Sequence, residues 1–387
     1  MTTTTHLAHP EEELLALDPQ AQLPLDLESE LLDTPALLVD LHVLEHNIAS
    51  MADFAARRGM ALRPHAKSHK STFIADLQLA GGATGLCLAT VGEAEVMWLH
   101  GVQDLLLAYP VFGEAKLRRL VPLVDAGVLT VVADSIDVAR GYSRIASSVG
   151  RELPVLIEID SGMHRAGALP EHAGARAAEV DRLPGLRVRG ILTHAGQAHQ
   201  AVDQQAIEQV ARDEVRAMQR AREGLEAQGL QVDVVSAGST VTTPYLSADD
   251  GITEVRPGTY VFNDLRTLGR YACTPDQLAL SMLATVVSRA PGRATLNAGS
   301  KSITTARTDQ HGHGHLVNRP GSGFRQVSEE HGVLGLAPED EDLRLGDRVR
   351  ILPIHSCVWM DLQREVYGTR NGQIVQRIRV DAMRRSL

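Results

Sequence analysis

The chain has 387 residues, with 48 acidic against 38 basic and a formal charge of −10; with no long Lys/Arg block, that balance argues against non-specific nucleic-acid binding. Its three cysteines, Cys87, Cys273 and Cys357, are too few for a disulfide framework and suit a reduced setting. No run of about 18 apolar residues predicts a membrane span, and the start MTTTTHLAHPEEELL lacks the basic head and apolar middle of a signal peptide, so the expectation is a cytoplasmic protein without a membrane partner.

In chain order, residues 1–30 read as a polar, acidic, Leu-spotted extension, with a helix around PEEELLALD (10–18). TPALLVDLHVLEHNIASMADFAARR then reads as a strand running into an amphipathic helix, and that opening strand is free to join a second domain. Short apolar segments follow at 60–65, 84–90, 104–110, 128–134, 154–160, 186–194, 232–238 and 252–258. Helical patterns such as VGEAEVMWLHG and EAKLRRLVPLVDAG separate them. Strand–helix alternation predicts a parallel sheet. Eight such units predict an α/β fold with a closed (β/α)8 barrel over 31–270. From 271 to 387 helical patterns give way to strand runs and a turn at RNGQ, which predicts a β-rich second domain.

A barrel of this kind carries its chemistry at the C-terminal ends of its strands. The segments there are PHAKSHK, DSGMHRAG, THAGQAH, SAGSTVTT and RPGTYVFND, each rich in Gly, Ser, Thr or His. In the first, Lys67 stands between His65 and His69. Burial or neighbouring cationic groups make a lysine a nucleophile; the plain alternative is a solvated basic loop. His69 and Lys70, on the outgoing turn, are expected to raise the local positive potential. Gly238, Ser239 and Thr240, with Gly258, Thr259 and Tyr260, follow the last two strands and offer backbone N–H groups and hydroxyls for a phosphate. A lysine and a phosphate cup at one mouth point to pyridoxal 5′-phosphate, held by Lys67 as a Schiff base. Arg165 is a candidate for the pyridine nitrogen, where a guanidinium leaves that nitrogen unprotonated; its alternative is an ion pair with Asp160. His194 is a candidate for the ring face. His355 and Cys357, spaced i, i+2, are expected on one face of a strand, and imidazole with thiolate suits a divalent metal such as zinc. HGHGH (311–315) is a further metal candidate that reads more naturally as a flexible loop.

Taken together, these residues resemble the D-threonine aldolase / D-serine dehydratase family. The resemblance runs in order through DTPALLVDLHVLEHNI, LRPHAKSHK, ATVGEAEVM, VLIEIDSGMHRAG, GILTHAG, VVSAGST, TEVRPGTYVFND, LNAGSKSI, SEEHG and GDRVRILPIHSC, and covers roughly 33–385. It implies an alanine-racemase-like barrel with a C-terminal β domain, usually as a homodimer. It implies pyridoxal phosphate on Lys67 with Arg165 near the pyridine nitrogen, and a divalent metal (zinc, or manganese or magnesium) on His355 and Cys357. Two departures stand out. Gln197 and His199 occupy positions where relatives often carry His and Tyr, and Ile354 with Val358 and Trp359 flank the metal pair where dehydratase-like members carry Asn and Pro-Thr. The activity implied is a lyase acting on β-hydroxy D-amino acids. A dehydratase would use Lys67 on the Cα proton and the metal as Lewis acid on the hydroxyl; an aldolase would need a base such as His65 on that hydroxyl. A racemase, a non-catalytic cofactor carrier and a zinc hydrolase are the rival readings.

Overall fold

The structure is a computed structural model that describes residues 16–18 and 21–385. It divides into two compact units, one running to His42 and resuming over Ala279–Val380, the other comprising Val43–Leu278 and Asp381–Leu387. No helix among the described residues is long and apolar enough to cross a membrane.

The second unit is the barrel. Its eight parallel strands are Ala61–Leu62, Leu86–Leu88, Leu105–Leu107, Leu129–Ala133, Leu153–Ile159, Leu186–Thr193, Val234–Ala237 and Glu254–Val255. Seven fall within the apolar segments of the sequence, and the fifth begins one residue ahead of its segment, at Leu153. Neighbours pair in parallel around the sheet. A parallel bridge between His65 and Cys87, with Cys87 N–H donating to Pro64 O at 2.8 Å, joins the first strand to the second and closes the ring.

Alternation along each strand divides its side chains between two faces. Cys87, Leu106, Val132, Leu156 and Leu192, one from each of five consecutive strands, form one buried cluster inside the ring. Their immediate neighbours, such as Leu86, Leu88, Leu105, Leu107, Val131 and Ile157, belong instead to the large core beneath the surrounding helices. Those helices bury one stripe each. Ile136–Val149 turns Val138, Ala139, Tyr142, Ile145 and Ala146 inward, and ends at Gly150 in the left-handed conformation (φ 63°), which glycine adopts without steric cost.

The first unit is a mostly antiparallel β structure built on the 11-residue strand Leu280–Ala290, which pairs with Ala36–Asp40, Arg293–Leu296 and Arg348–Pro353. The opening strand Ala36–Asp40 therefore belongs here and not to the barrel. RNGQ forms a two-residue hairpin between Glu365–Arg370 and Gln373–Arg379. Asn371 and Gly372 both have positive φ (50° and 78°), as a primed turn requires. The described part of the N-terminal extension is stitched into this unit. Leu25–Asp26 pairs with the strand Gln373–Arg379, and buried Leu17 bridges Leu32 and donates its N–H to the Tyr367 hydroxyl at 3.0 Å. Of the expected helix over 10–18, residues 10–15 lie outside the described residues; Ala16, Leu17 and Asp18 are not helical.

Candidate active site

After the strand Ala61–Leu62 the chain stays extended through His65 and then makes a single 3₁₀ turn, Ala66–Ser68, which presents Lys67 at the barrel mouth. His65 N–H donates to Pro257 O at 3.0 Å, which ties this turn to the end of the eighth strand. The next two residues correct the sequence reading. His69 and Lys70 are buried rather than solvated. Ser71 N–H donates to His69 Nδ1 at 3.1 Å, so Nε2 carries the proton and donates to Gln78 Oε1 at 3.1 Å. Burial brings His69 down to about 4, so it is neutral at pH 7 and adds no positive potential. Lys70, held at φ 53°, pairs with buried Glu93 at 3.5 Å. Lys67 is the half-buried amine of this segment.

Facing it is a polar network that sequence reasoning missed. Buried Arg256 donates from Nη1 to Ser236 Oγ at 2.6 Å and from Nη2 to Thr193 O. Ser236 Oγ donates to Glu254 Oε1 at 2.5 Å, and Glu254 Oε2 accepts from Arg63 Nε at 2.7 Å. Arg63 in turn pairs with Asp104. The signal was present in ITEVRPG: Glu254 and Arg256 are i, i+2 on a strand that must be covered on both faces, so both charges had to point inward.

His65 and His194 stand beside these cations. Burial, then Lys67 and Arg256, hold His65 well below its ordinary range; burial, Lys67 and Arg165 do the same for His194. Both imidazoles are therefore neutral at pH 7, and His65 Nδ1 is sealed from solvent without a hydrogen-bond partner. Arg165, after the strand Leu153–Ile159, is exposed and has no ion pair among the described residues. The expected alternative partner, Asp160, is taken by His164, which donates to it from its backbone N–H and shares Nδ1···Oδ2 at 3.0 Å. Of the two arginines, Arg256 is the one fixed by hydrogen bonds within the barrel. Gln197, one of the two departures, donates to Ser161 O at 3.1 Å.

The two glycine-bearing turns lie after the seventh and eighth strands. Gly238 has φ 82°, and a Cβ there would stand 2.7 Å from Thr243 Oγ1. At Gly258 a Cβ would meet Ser68 Oγ at 2.6 Å and His65 Cβ at 3.1 Å, so only glycine lets this turn approach the lysine segment. Tyr260 N–H donates to Thr240 Oγ1 at 3.2 Å and links the two turns. The Tyr260 side chain points elsewhere: buried, it accepts from Gln78 Nε2 at 3.0 Å. Ser239 Oγ accepts from the backbone of Val241 and Thr242. Thr259 opens the 3₁₀ turn Thr259–Val261.

His355 and Cys357, the expected metal ligands, lie in the β unit, and their local geometry differs from expectation. The strand ends at Pro353, His355 is the extended N-cap residue, and Cys357 is the second residue of the helix Ser356–Asp361. Strand alternation therefore does not align the two side chains. The helix is anchored by buried Trp359, whose Nε1 donates to Ile303 O at 2.6 Å. No group of three or more His, Cys, Asp or Glu placed to hold a metal occurs among the described residues. HGHGH is an ordered turn: Thr308 and Gly312 bridge each other, His313 Nδ1 lies 3.1 Å from Ala306 O, and His315 is in the strand Gly314–Leu316.

The family model for the alanine racemase N-terminal domain matches residues 39–265, and that for a putative serine dehydratase domain matches 279–369. A D-threo-3-hydroxyaspartate dehydratase of Delftia sp. is 36% identical over 84% of this chain and 91% of its own length. This chain belongs to the D-threonine aldolase / D-serine dehydratase family. Among solved members, D-threonine aldolase from Filomicrobium marinum superposes with a TM-score of 0.86 at 30% identity, covering 94% of this chain and 98% of that one. A cysteine-to-alanine mutant of D-threo-3-hydroxyaspartate dehydratase, solved in its metal-free form, gives 0.82 at 32% identity over 92% and 98%. The alanine-racemase-like barrel and the β-rich C-terminal region are thus family features, and the family's enzymes are lyases.

Proposed function

We propose that this protein is a pyridoxal phosphate-dependent, metal-assisted dehydratase of β-hydroxy D-amino acids, converting a D-serine, D-threonine or 3-hydroxy-D-aspartate type of substrate to a keto acid and ammonia. The observation that carries the reading is the convergence, at one end of one barrel, of Lys67, two neutral histidines, a fixed guanidinium and two turns that tolerate only glycine. These residues fit the cofactor. His65 Nδ1 is a buried polar atom without a partner, and glycine at 258 lets that turn close against Ser68 and His65, on either side of Lys67.

When bound, pyridoxal phosphate supplies an electron sink for negative charge at the substrate Cα. Lys67 would hold it, the turns 238–240 and 258–260 would receive its phosphate, and His194 would lie along its ring. Arg256 is better suited than exposed Arg165 to face the pyridine nitrogen, because two hydrogen bonds already fix its plane and it has no proton to yield. Arg165 then remains available to a substrate carboxylate. Lys67 Nζ takes the Cα proton, and loss of the β-hydroxyl follows. His355 and Cys357 would hold a divalent metal, whose Lewis acidity favours departure of that hydroxyl. The relative's cysteine-to-alanine mutant in metal-free form supports a thiolate ligand and the dehydratase reading.

Retro-aldol cleavage to glycine and an aldehyde is the second reading, favoured by the likeness to D-threonine aldolase; neutral His65 would then be the protein base. Incubation with D-serine, D-threonine and 3-hydroxy-D-aspartate, with and without added zinc, decides between them. Ammonia with keto acid is expected. Glycine with aldehyde makes it an aldolase, and metal-independent loss of optical activity from one enantiomer of alanine makes it a racemase.

A homodimer is part of the same proposal. Tyr109, Phe112, Leu169, Val202 and Tyr271 are exposed on segments that follow the C-terminal ends of barrel strands. Exposed apolar groups of this kind suit a second copy of the chain. F112S should raise the dimer dissociation constant in sedimentation; a monomeric wild type would refute the assignment.

A further inference from the structure

The long helix Gln204–Ala227 buries Ile207, Ala211, Glu214, Met218, Ala221 and Leu225. Spacings of three and four make this a single apolar stripe. Glu214 occupies a position where Leu or Met would pack without desolvating a carboxyl, and it is fully buried. Such a group persists only with a compensating partner. The partner is specific: Glu214 Oε1 accepts the Gly238 N–H at 2.9 Å. Gly238 is the point where the seventh strand turns into the phosphate cup, and Thr243 Oγ1 blocks any side chain there. Its position can therefore be held only through its main chain. Glu214 Oε2 is buried without a hydrogen-bond partner of its own; the Thr242 hydroxyl, the Arg256 cation and the amide of Ala195, which directly follows His194, all favour the charged carboxyl.

We propose that Glu214 is a positioning residue that holds the 238–240 turn in the geometry that receives the cofactor phosphate and keeps it in register with His194. The inference rests on the phosphate reading of that turn, and the test separates the two. Pyridoxal 5′-phosphate and pyridoxal are titrated into wild type, E214M and E214Q, following the absorbance of the bound compound, with thermal melts run alongside. Wild type should bind the phosphorylated form more tightly. E214M completes the apolar stripe and should melt no lower than wild type. It should keep its pyridoxal affinity and lose about tenfold for pyridoxal phosphate, the size of one buried hydrogen bond left unmade. E214Q retains the acceptor and should restore the wild-type preference. An unchanged preference in E214M overturns the proposal, as does equal weakening of both ligands. If E214M does not fold, E214A is read the same way, and failure of both to fold overturns the proposal in favour of a packing role. A wild type with no preference for the phosphorylated form overturns the phosphate reading itself.

Discussion

The interior of the barrel has two unlike halves. On the five consecutive strands from Leu86–Leu88 to Leu186–Thr193, the inward positions include Cys87, Leu106, Val132, Leu156 and Leu192, all buried. On the remaining three, they include Arg63, Ser236, Glu254 and Arg256, joined by hydrogen bonds. Apart from buried Glu158, two residues beyond Leu156 and paired in register with Leu192, the first half is held by dispersion and apolar burial, and each apolar member contributes on its own. The second is held by charge and hydrogen bonds, which stabilise only while every member is satisfied. Lys67 and both candidate phosphate turns follow the strands of the polar half. A packed apolar half supplies a rigid wall, and the polar half supplies fixed charge beside Lys67.

That division can be broken from either side. The largest effect is expected at the mouth: K67A should abolish turnover of β-hydroxy D-amino acids, checked by ammonia release, while thermal unfolding stays near wild type. Next comes E254A, which removes the carboxylate linking Arg63 to Ser236 and through it Arg256. Two guanidiniums then lose their shared counter-charge, with a cost of about 3–5 kcal/mol in urea unfolding and weaker cofactor binding. L156A tests the other half. It should cost about 2–5 kcal/mol of stability through the cavity it leaves, yet leave cofactor affinity within about threefold, a difference under 1 kcal/mol. Equal loss of affinity in L156A and E254A would mean that the two halves do not divide the labour.

Much of this was legible in the sequence, and the failures share a cause. The strands, their order and the turns bearing Lys67, His194, Gly238 and Gly258 follow from apolar runs and glycine punctuation, which are local signals. Arg256 was passed over because its partners, Ser236 and Thr193, are 20 and 63 residues away. His69 and Lys70 read as a source of positive potential for the same reason: their partners Gln78 and Glu93 come from two different helices. The strand expected at His355 and Cys357 ends at Pro353, two residues before the first of them, because the helix beginning at Ser356 is anchored by Trp359 to Ile303. Element type is written in neighbouring residues; the partner of a buried charge is not.

The smallest effect concerns the polar side's support. His69, Gln78 and Tyr260 form a buried line from the lysine turn to the turn at 258–260, and it works only with His69 neutral. Burial holds His69 to about 4, against an ordinary value near 6.5 in the unfolded chain. Between those values the unfolded state binds a proton that the folded state refuses, so stability falls as pH drops through the window and rises as pH increases. From pH 7 to pH 5 this one group should remove about 2 kcal/mol. His65 and His194 are shifted in the same direction, so the wild-type slope exceeds that of one proton. H69Q cannot take up a proton, and whatever its absolute stability, its unfolding free energy should depend on pH less steeply by that single increment. A slope identical to wild type would mean that His69 is open to protonation in the folded protein, and the line to Tyr260 would then not be a fixed support for the polar half.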